Sequence, residues 1–198
     1  MSQASTNLLL KQIARSFSGL TLRNGLELKK EGFIPVLQPK DILKGEEPAQ
    51  PLYLDHYPPS IQKHFLSDGD ILLANKGTKF ATYLHKGDIP CIASASFFVI
   101  RVQKNCLAEY LHWYLEQPVA KDYFLKNSVT STIPSLSKSV LDDLPVPLPP
   151  LSIQASVVEK LRLLNQQEKI LAEMLRKTRE FRDAHVWDVI TNDLNKIL

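Results

Sequence analysis

Leu141-Asp142-Asp143-Leu144-Pro145-Val146-Pro147-Leu148-Pro149-Pro150-Leu151-Ser152-Ile153-Gln154 divides this chain into two kinds of structure. Pro134, Pro145, Pro147, Pro149 and Pro150 are five of the chain's 13 prolines. Each fixes φ and lacks the N–H that a helix interior needs, so a compact strand-and-turn region must stop at Pro150. Behind it, Val157, Leu161, Leu164, Glu168, Leu171, Leu175 and Thr178 recur at spacings of four and three, uninterrupted by Pro or Gly. That spacing predicts a long helix with an a/d seam over about three heptads, with Ser152 as its N-cap. Leu163, Ile170 and Met174 widen the stripe. A helix this long cannot bury its stripe against its own head, so it needs a second helix from another copy or another region.

Working outward, the 198 residues suffice for a head of about 150 residues plus an appendage, and a head of that size buries a core without metal or disulfides. The expected division is 1–150 and 151–198. Cys91 and Cys106 form no CxxC pair, which argues for two thiols in a reducing cytoplasm rather than a disulfide framework or a zinc site. The first seven residues carry no basic segment, and the apolar run Leu8–Leu10 is too short for a signal core or a membrane span. A cytoplasmic protein with no membrane contact is expected. The net charge of +3 is unevenly spread. Lys76, Lys79, Lys86, Arg101, Lys104, Lys121, Lys126 and Lys138 face only Asp88, Glu109, Glu116 and Asp122 between Lys76 and Lys138. That excess suits a polyanion, and equally a solvated surface without a partner.

Within the head, Leu8–Ser18 reads as a short amphipathic helix or turn, with further turns at Gly19 and Asn24-Gly25. Phe33–Leu37 reads as a strand that Pro35 demotes to an edge, and Lys44–Ser60 as loop. Asp68-Gly69-Asp70 is a tight turn before the strand Ile71–Ala74, and Asn75–Lys79 is a second turn in which Gly77 supplies positive φ. Cys91–Val102 gives the strongest strand signal. Leu107, Tyr110, Leu111 and Tyr114 predict an amphipathic helix over 107–116, and Val119–Lys126 a second short one. Leu141–Leu148 returns as an extended segment. The fold class is therefore α+β: a globular head of short strands and helices, followed by a long C-terminal α-helix forming an intermolecular coiled coil.

No catalytic constellation accompanies this architecture. Gly-rich phosphate cradles, a GxSxG elbow and HExxH are all absent from the sequence, and His56, His64, His85, His112 and His185 are scattered. Asp142-Asp143 suits a turn or cap better than a metal.

Several stretches in order resemble half of the specificity subunit of type I restriction–modification systems. They are Ile13–Gly19 with Thr21, Val36–Ile42, Asp68–Ala74 with Gly77, Glu109-Tyr110-Leu111, Thr130-Ser131-Thr132, Leu144–Gln154 and Arg179–Asp183. The resemblance implies a target-recognition head that reads one half of a split site in double-stranded DNA, and a conserved helix that acts as a ruler to the second head. It implies no catalytic activity and no cofactor on this chain. S-adenosylmethionine and the catalytic residues would sit on a methyltransferase subunit that docks on the assembly, joined in some assemblies by a restriction subunit. The usual subunit has two heads and two helices, so this chain resembles a half-subunit that pairs with itself. A homodimer of that kind would read a palindrome with a nonspecific gap. Where the family often carries a Gly-Lys pair after its equivalent of Arg182, this chain has Asn192-Asp193.

Two clusters are the DNA-binding candidates, since base readout needs Arg, Lys, Asn, Gln, Ser or Thr on loops that reach a groove. Asn75, Lys76, Thr78 and Lys79 lie on the Gly77 turn; Lys121, Lys126, Asn127, Ser128 and Thr130 lie in and after the second short helix. Phe80, Tyr83 and Tyr123 lie among the lysines, where they pack in the core or stack on bases. Val157, Leu161, Leu164, Leu171 and Leu175 are the dimerisation candidates. The rival reading is a non-catalytic interaction protein, dimerised by its coiled coil, with a protein ligand at the head.

Overall fold

The structure, a computed structural model, describes residues 6–22, 27–42, 51–56, 59–87, 90–129 and 132–194. The elements run β1 (Thr6–Leu9), α1 (Leu10–Ile13), β2 (Ala14–Ser18), β3 (Leu28–Lys29), β4 (Ile34–Leu37), α2 (Pro39–Ile42), β5 (Leu52–Leu54), a 3-10 helix (Pro59–His64), β6 (Ile71–Ala74), β7 (Thr82–Leu84), β8 (Ile92–Ala93), β9 (Phe97–Val102), α3 (Ala108–Glu116), α4 (Pro118–Asn127), α5 (Lys138–Asp142), β10 (Pro145–Leu148) and α6 (Leu151–Leu194). This is an α+β fold ending in a 44-residue helix. The chain divides into two compact units, Met1–Ala155 and Ser156–Leu198.

The central sheet of the first unit has the order β2-β9-β6-β7, all antiparallel. Its two inner strands are buried on both faces, which is why Ile71–Ala74 and Phe97–Ile100 are continuous apolar runs rather than alternating ones. Ile71, Leu73, Phe98 and Ile100 join a core with Leu111, Tyr114, Leu115, Phe124 and Leu141 from the helices. Leu72, Ala74, Phe97 and Val99 face the other way, onto Leu37, Leu66, Cys91 and Ala93. A second sheet, β3-β5-β4-β8, closes over Leu20, Ile34, Val36, Leu54, Ile61 and Ile92.

Short motifs read from the sequence have local structural causes. Asp70 is fully buried; its carboxylate accepts the Ser67 N–H and a two-point contact from Arg101 (Nε 2.8 Å, Nη2 2.6 Å). The bond raises the Arg101 pKa, and the guanidinium also lies 5.6 Å over the Phe17 ring. Gly19 lets the backbone pass the Ser94 carbonyl, which a Cβ would approach to 2.2 Å. Pro39 opens α2, and Asp41 Oδ2 reaches back to the Gln38 N–H at 2.8 Å, half of a capping box.

Among the described residues the Pro-rich strand β10 pairs only with β1 (Asn7 opposite Pro147, Leu9 opposite Pro145), so its missing N–H groups interrupt no interior ladder there. Its carbonyls serve α3 instead. Tyr110 and Tyr114 hydroxyls donate to the Pro147 and Pro145 oxygens at 2.6 and 2.7 Å. The match is geometric: four helical residues rise about 6 Å and two strand residues about 6.6 Å. Burial raises both tyrosine pKa values, keeping the hydroxyls as donors. Gln154, with no exposed surface, then joins the first turn of α6 to the same unit. Its Oε1 accepts the Leu107 N–H at 2.9 Å, and its Nε2 donates to the Asn105 and Pro149 oxygens at 3.0 and 2.8 Å.

Several expectations need correction. Leu8–Ser18 holds the end of β1, a single helical turn and β2, because Ala14–Ser18 pair residue by residue with Val102–Phe98 of β9. β4 is an inner strand, between β5 and β8; β8 pairs only from Val36 onward, so Pro35 costs that ladder nothing. The stretch 44–60 contains strand β5 and the start of the 3-10 helix, although residues 43–50, 57 and 58 lie outside the described ones. Cys91–Val102 is broken into β8 and β9 by a turn at Ser94–Ser96, so that its two halves join different sheets. Lys138–Asp142 is a short helix capped by Ser137, whose hydroxyl accepts the Val140 N–H. α6 starts at Leu151, where the Pro150 carbonyl accepts from Ile153 and Gln154, so Ser152 lies inside its first turn. The pair Asn24-Gly25 lies outside the described residues.

Candidate nucleic-acid interface

The turn after β6 is fixed at both ends. Gly77 has φ +109°, open to glycine at no steric cost, and nothing lies within 4 Å of where its Cβ would be. Phe80 also has positive φ (40°), which for a bulky residue stores about 1–3 kcal/mol of strain. Its fully buried ring, edge-on to Phe124 at 5.7 Å, offsets that cost. Lys76, just before Gly77, and Thr78 and Lys79 between these points are exposed. Asn75 is held instead. Its N–H and side-chain Nδ2 donate to the Ser96 and Ala95 oxygens, and its carbonyl accepts from Leu136 at 2.8 Å. Its Oδ1 is buried without a protein partner.

The second cluster ends α4. Lys126 and Asn127 are exposed, with Asn127 Nδ2 donating to the Tyr123 carbonyl at 2.8 Å. Ser128 Oγ donates to the Leu125 carbonyl at 3.0 Å, so both side chains satisfy carbonyls at the end of the helix. Lys121 is not a free cation: its Nζ donates to the Phe80 carbonyl at 2.8 Å and to Glu116 at 2.9 Å. Tyr123 donates to the Val140 carbonyl at 3.3 Å, and Tyr83 packs against the second core face. Thr130 lies outside the described residues.

The two clusters, about fifty positions apart in sequence, meet. Gly77 donates to the Pro134 carbonyl at 2.9 Å, and Ser135 bridges both Lys76 and Val129. One surface therefore carries the Gly77 turn, the end of α4 and the segment before Ser135. Val129 and Ile133 stand on it, 62% and 58% exposed. Charge and hydrogen-bonding capacity pointed to neither residue in the sequence.

Beside the turn lies a groove of about 580 Å³ bordered by Thr78, Lys79, Thr82, His112, Glu116 and Lys121. Burial pushes the Glu116 carboxyl up, but hydrogen bonds from Thr82 and Lys121 outweigh it and the pKa falls below its usual value. Burial lowers the His112 pKa, which favours a neutral ring.

The helix α6, which supplies most of the second unit, is about 66 Å long at 1.5 Å per residue. On the predicted seam, Val157 and Leu161 are half-buried, while Leu164, Leu171 and Leu175 are 53–65% exposed. Leu163, Ile170, Met174 and Phe181 are exposed as well. At 100° per residue they form a second stripe next to the first. Together the two cover a wider arc than the a/d strip of a two-stranded coiled coil. The opposite face is laced by pairs such as Arg162–Glu159, Lys177–Glu173 and Arg176–Glu180. No helix among the described residues is long and apolar enough to cross a membrane.

Residues 6–176 match the family of type I restriction modification DNA specificity domains. Among solved structures, the HsdS subunit from Thermoanaerobacter tengcongensis aligns with a TM-score of 0.64 and 17% identity, over 84% of this chain and 39% of that one. A chain from a study of complex assembly and conformational transition of the type I R-M system aligns at 0.70 and 19%, over 90% and 42%. The type I restriction-modification S subunit from M. genitalium aligns at 0.59 and 14%, over 92% and 45%. The chain thus spans 39–45% of the length of these three structures. No curated protein matches it.

Proposed function

Because the chain belongs to the family of type I restriction modification DNA specificity domains, we propose that it is a DNA-reading specificity half-subunit. Residues 1–150 would form its target-recognition domain and 151–198 its spacer and dimerisation helix. The head binds double-stranded DNA at one half of a split site. It does no chemistry itself; a methyltransferase subunit supplies S-adenosylmethionine and the catalytic residues, and a restriction subunit joins where the system has one.

The observation that carries this reading is the meeting of the two polar clusters at Ser135, beside the cations Lys76, Lys79 and Lys126. Lys76, Thr78, Lys79, Lys126 and Asn127 are the solvent-facing candidates for base and phosphate contacts. Asn75, Lys121 and Ser128 hold the surface in shape, and Thr130 follows it in sequence. The apolar stripe of α6 supports the assembly: the seam through Leu161, Leu164, Leu171 and Leu175 takes a second copy, and the adjoining stripe through Ile170 and Met174 leaves room for a methyltransferase helix. Two heads related by a two-fold axis would read an inverted repeat.

The test is DNA binding with the methyltransferase subunit supplied, followed across salt concentrations. The reading expects affinity to fall steeply and log-linearly with salt. Binding that ignores salt, or a head that instead captures a protein ligand by an apolar interface, would sink it.

A further inference from the structure

We infer that Val129 and Ile133 are the apolar part of the reading surface and contact thymine 5-methyl groups in the major groove; this rests on the DNA-reading function proposed above. Isolated exposed aliphatic residues are ordinary. These two differ in how they are mounted. Val129 exchanges backbone hydrogen bonds with Ser135 (2.9 and 3.4 Å), and Pro134, next to Ile133, accepts the Gly77 N–H at 2.9 Å. The backbone is thus clamped at Val129 by Ser135 and, one residue after Ile133, at Pro134 by the Gly77 turn. Both side chains are β-branched and stiff at χ1, so little freedom is lost when they make a contact.

The surroundings select the occupant. Among the described residues no ion pair engages Lys76, Lys79 or Lys126, whereas Lys121 and Lys138 are paired with Glu116 and Asp142. Lysine is depleted in protein–protein interfaces, while unpaired lysines around a reading surface match a polyanion. In that setting the lysines meet phosphates and position the head. A valine and an isoleucine can recognise only an apolar feature of a base edge, and in the major groove that feature is the methyl group of thymine.

The experiment uses the full chain with its methyltransferase subunit and a duplex enriched from a random library by the wild-type complex. Thymines in that duplex are replaced one at a time by uracil, which removes only the 5-methyl group. At one or two positions the wild type should lose about fourfold in affinity per methyl removed. Val129→Ala and Ile133→Ala should bind the thymine duplex that much more weakly and no longer distinguish thymine from uracil there. Their melting temperature and salt slope should be unchanged. Equal wild-type binding to every uracil duplex, or full discrimination kept in both variants, overturns the inference while leaving the DNA-reading function standing. Variants that keep DNA binding but lose the methyltransferase subunit would reassign the surface to a protein. A wild type that enriches no sequence overturns the function itself, and this inference with it.

Discussion

Replacing Gln154 with alanine tests how the Pro-rich junction is held. Gln154 has no exposed surface and serves three backbone groups: the Leu107 N–H and the Asn105 and Pro149 oxygens. Truncation leaves the part-buried Leu107 N–H at the start of α3 without its side-chain acceptor, at about 1–3 kcal/mol. The two carbonyls lose less, because each keeps a second lone pair. A total loss of about 2–4 kcal/mol follows, which in a domain of this size lowers the melting midpoint by roughly 5–15 °C. Calorimetry or circular dichroism at pH 7 reads it directly. Gln154→Glu gives a sharper check. It keeps an acceptor for Leu107 but sets a carboxylate against two carbonyl oxygens, so the folded state favours the protonated acid and the pKa rises. The variant should be at least as unstable as alanine at pH 7 and recover on acidification, since a raised carboxyl pKa costs stability as pH climbs through it. A Gln154→Ala midpoint within about 2 °C of wild type would refute this account of the junction.

Other substitutions probe separate parts. Arg101→Ala leaves Asp70 buried without its cation and should cost about 3 kcal/mol, less than a wholly buried pair because the Arg101 side chain is 45% exposed; a loss under about 1 kcal/mol in urea titration would contradict the two-point contact. His85 and His112 have pKa values lowered, chiefly by burial, below the usual 6.5. The unfolded chain therefore takes up protons first as pH falls, so stability should drop through pH 6.5 and below; a flat melting profile between pH 7 and about 5.5 would count against it. Each of Lys76→Ala, Lys79→Ala and Lys126→Ala should reduce the salt slope of DNA binding by about 0.9, the value for one phosphate no longer neutralised, whereas an unchanged slope in all three would remove them from the interface. Leu164→Asp with Leu171→Asp should yield monomers by light scattering with an unchanged head; persistent dimers would exclude the α6 seam as the contact.

What was legible in the sequence was local. The Gly77 turn, β6, α3 and α4 follow from positive φ, apolar runs and i, i+3, i+4 spacing, all decided within a few residues. Pro35 misled because its penalty depends on which neighbour pairs where, and β8 arrives from more than fifty positions later. Cys91–Val102 misled because Ser94–Ser96 turns the chain between two sheets with no Gly or Pro to mark it. On the candidate surface, Lys76, Lys79 and Lys126 were legible as exposed turn and helix-end cations. The tie from Lys121 to Phe80 spans 41 positions and could not be read. Val129 and Ile133 gave no signal, since apolar residues in a sequence are ordinarily assigned to a core.

The central claim, that two identical heads read DNA through an arm of fixed length, is tested most directly by sequencing the duplexes that the wild-type complex enriches. The account predicts an inverted repeat of two short half-sites separated by a gap of constant length and arbitrary sequence. A single undivided motif, half-sites at variable spacing, or no enrichment would contradict it.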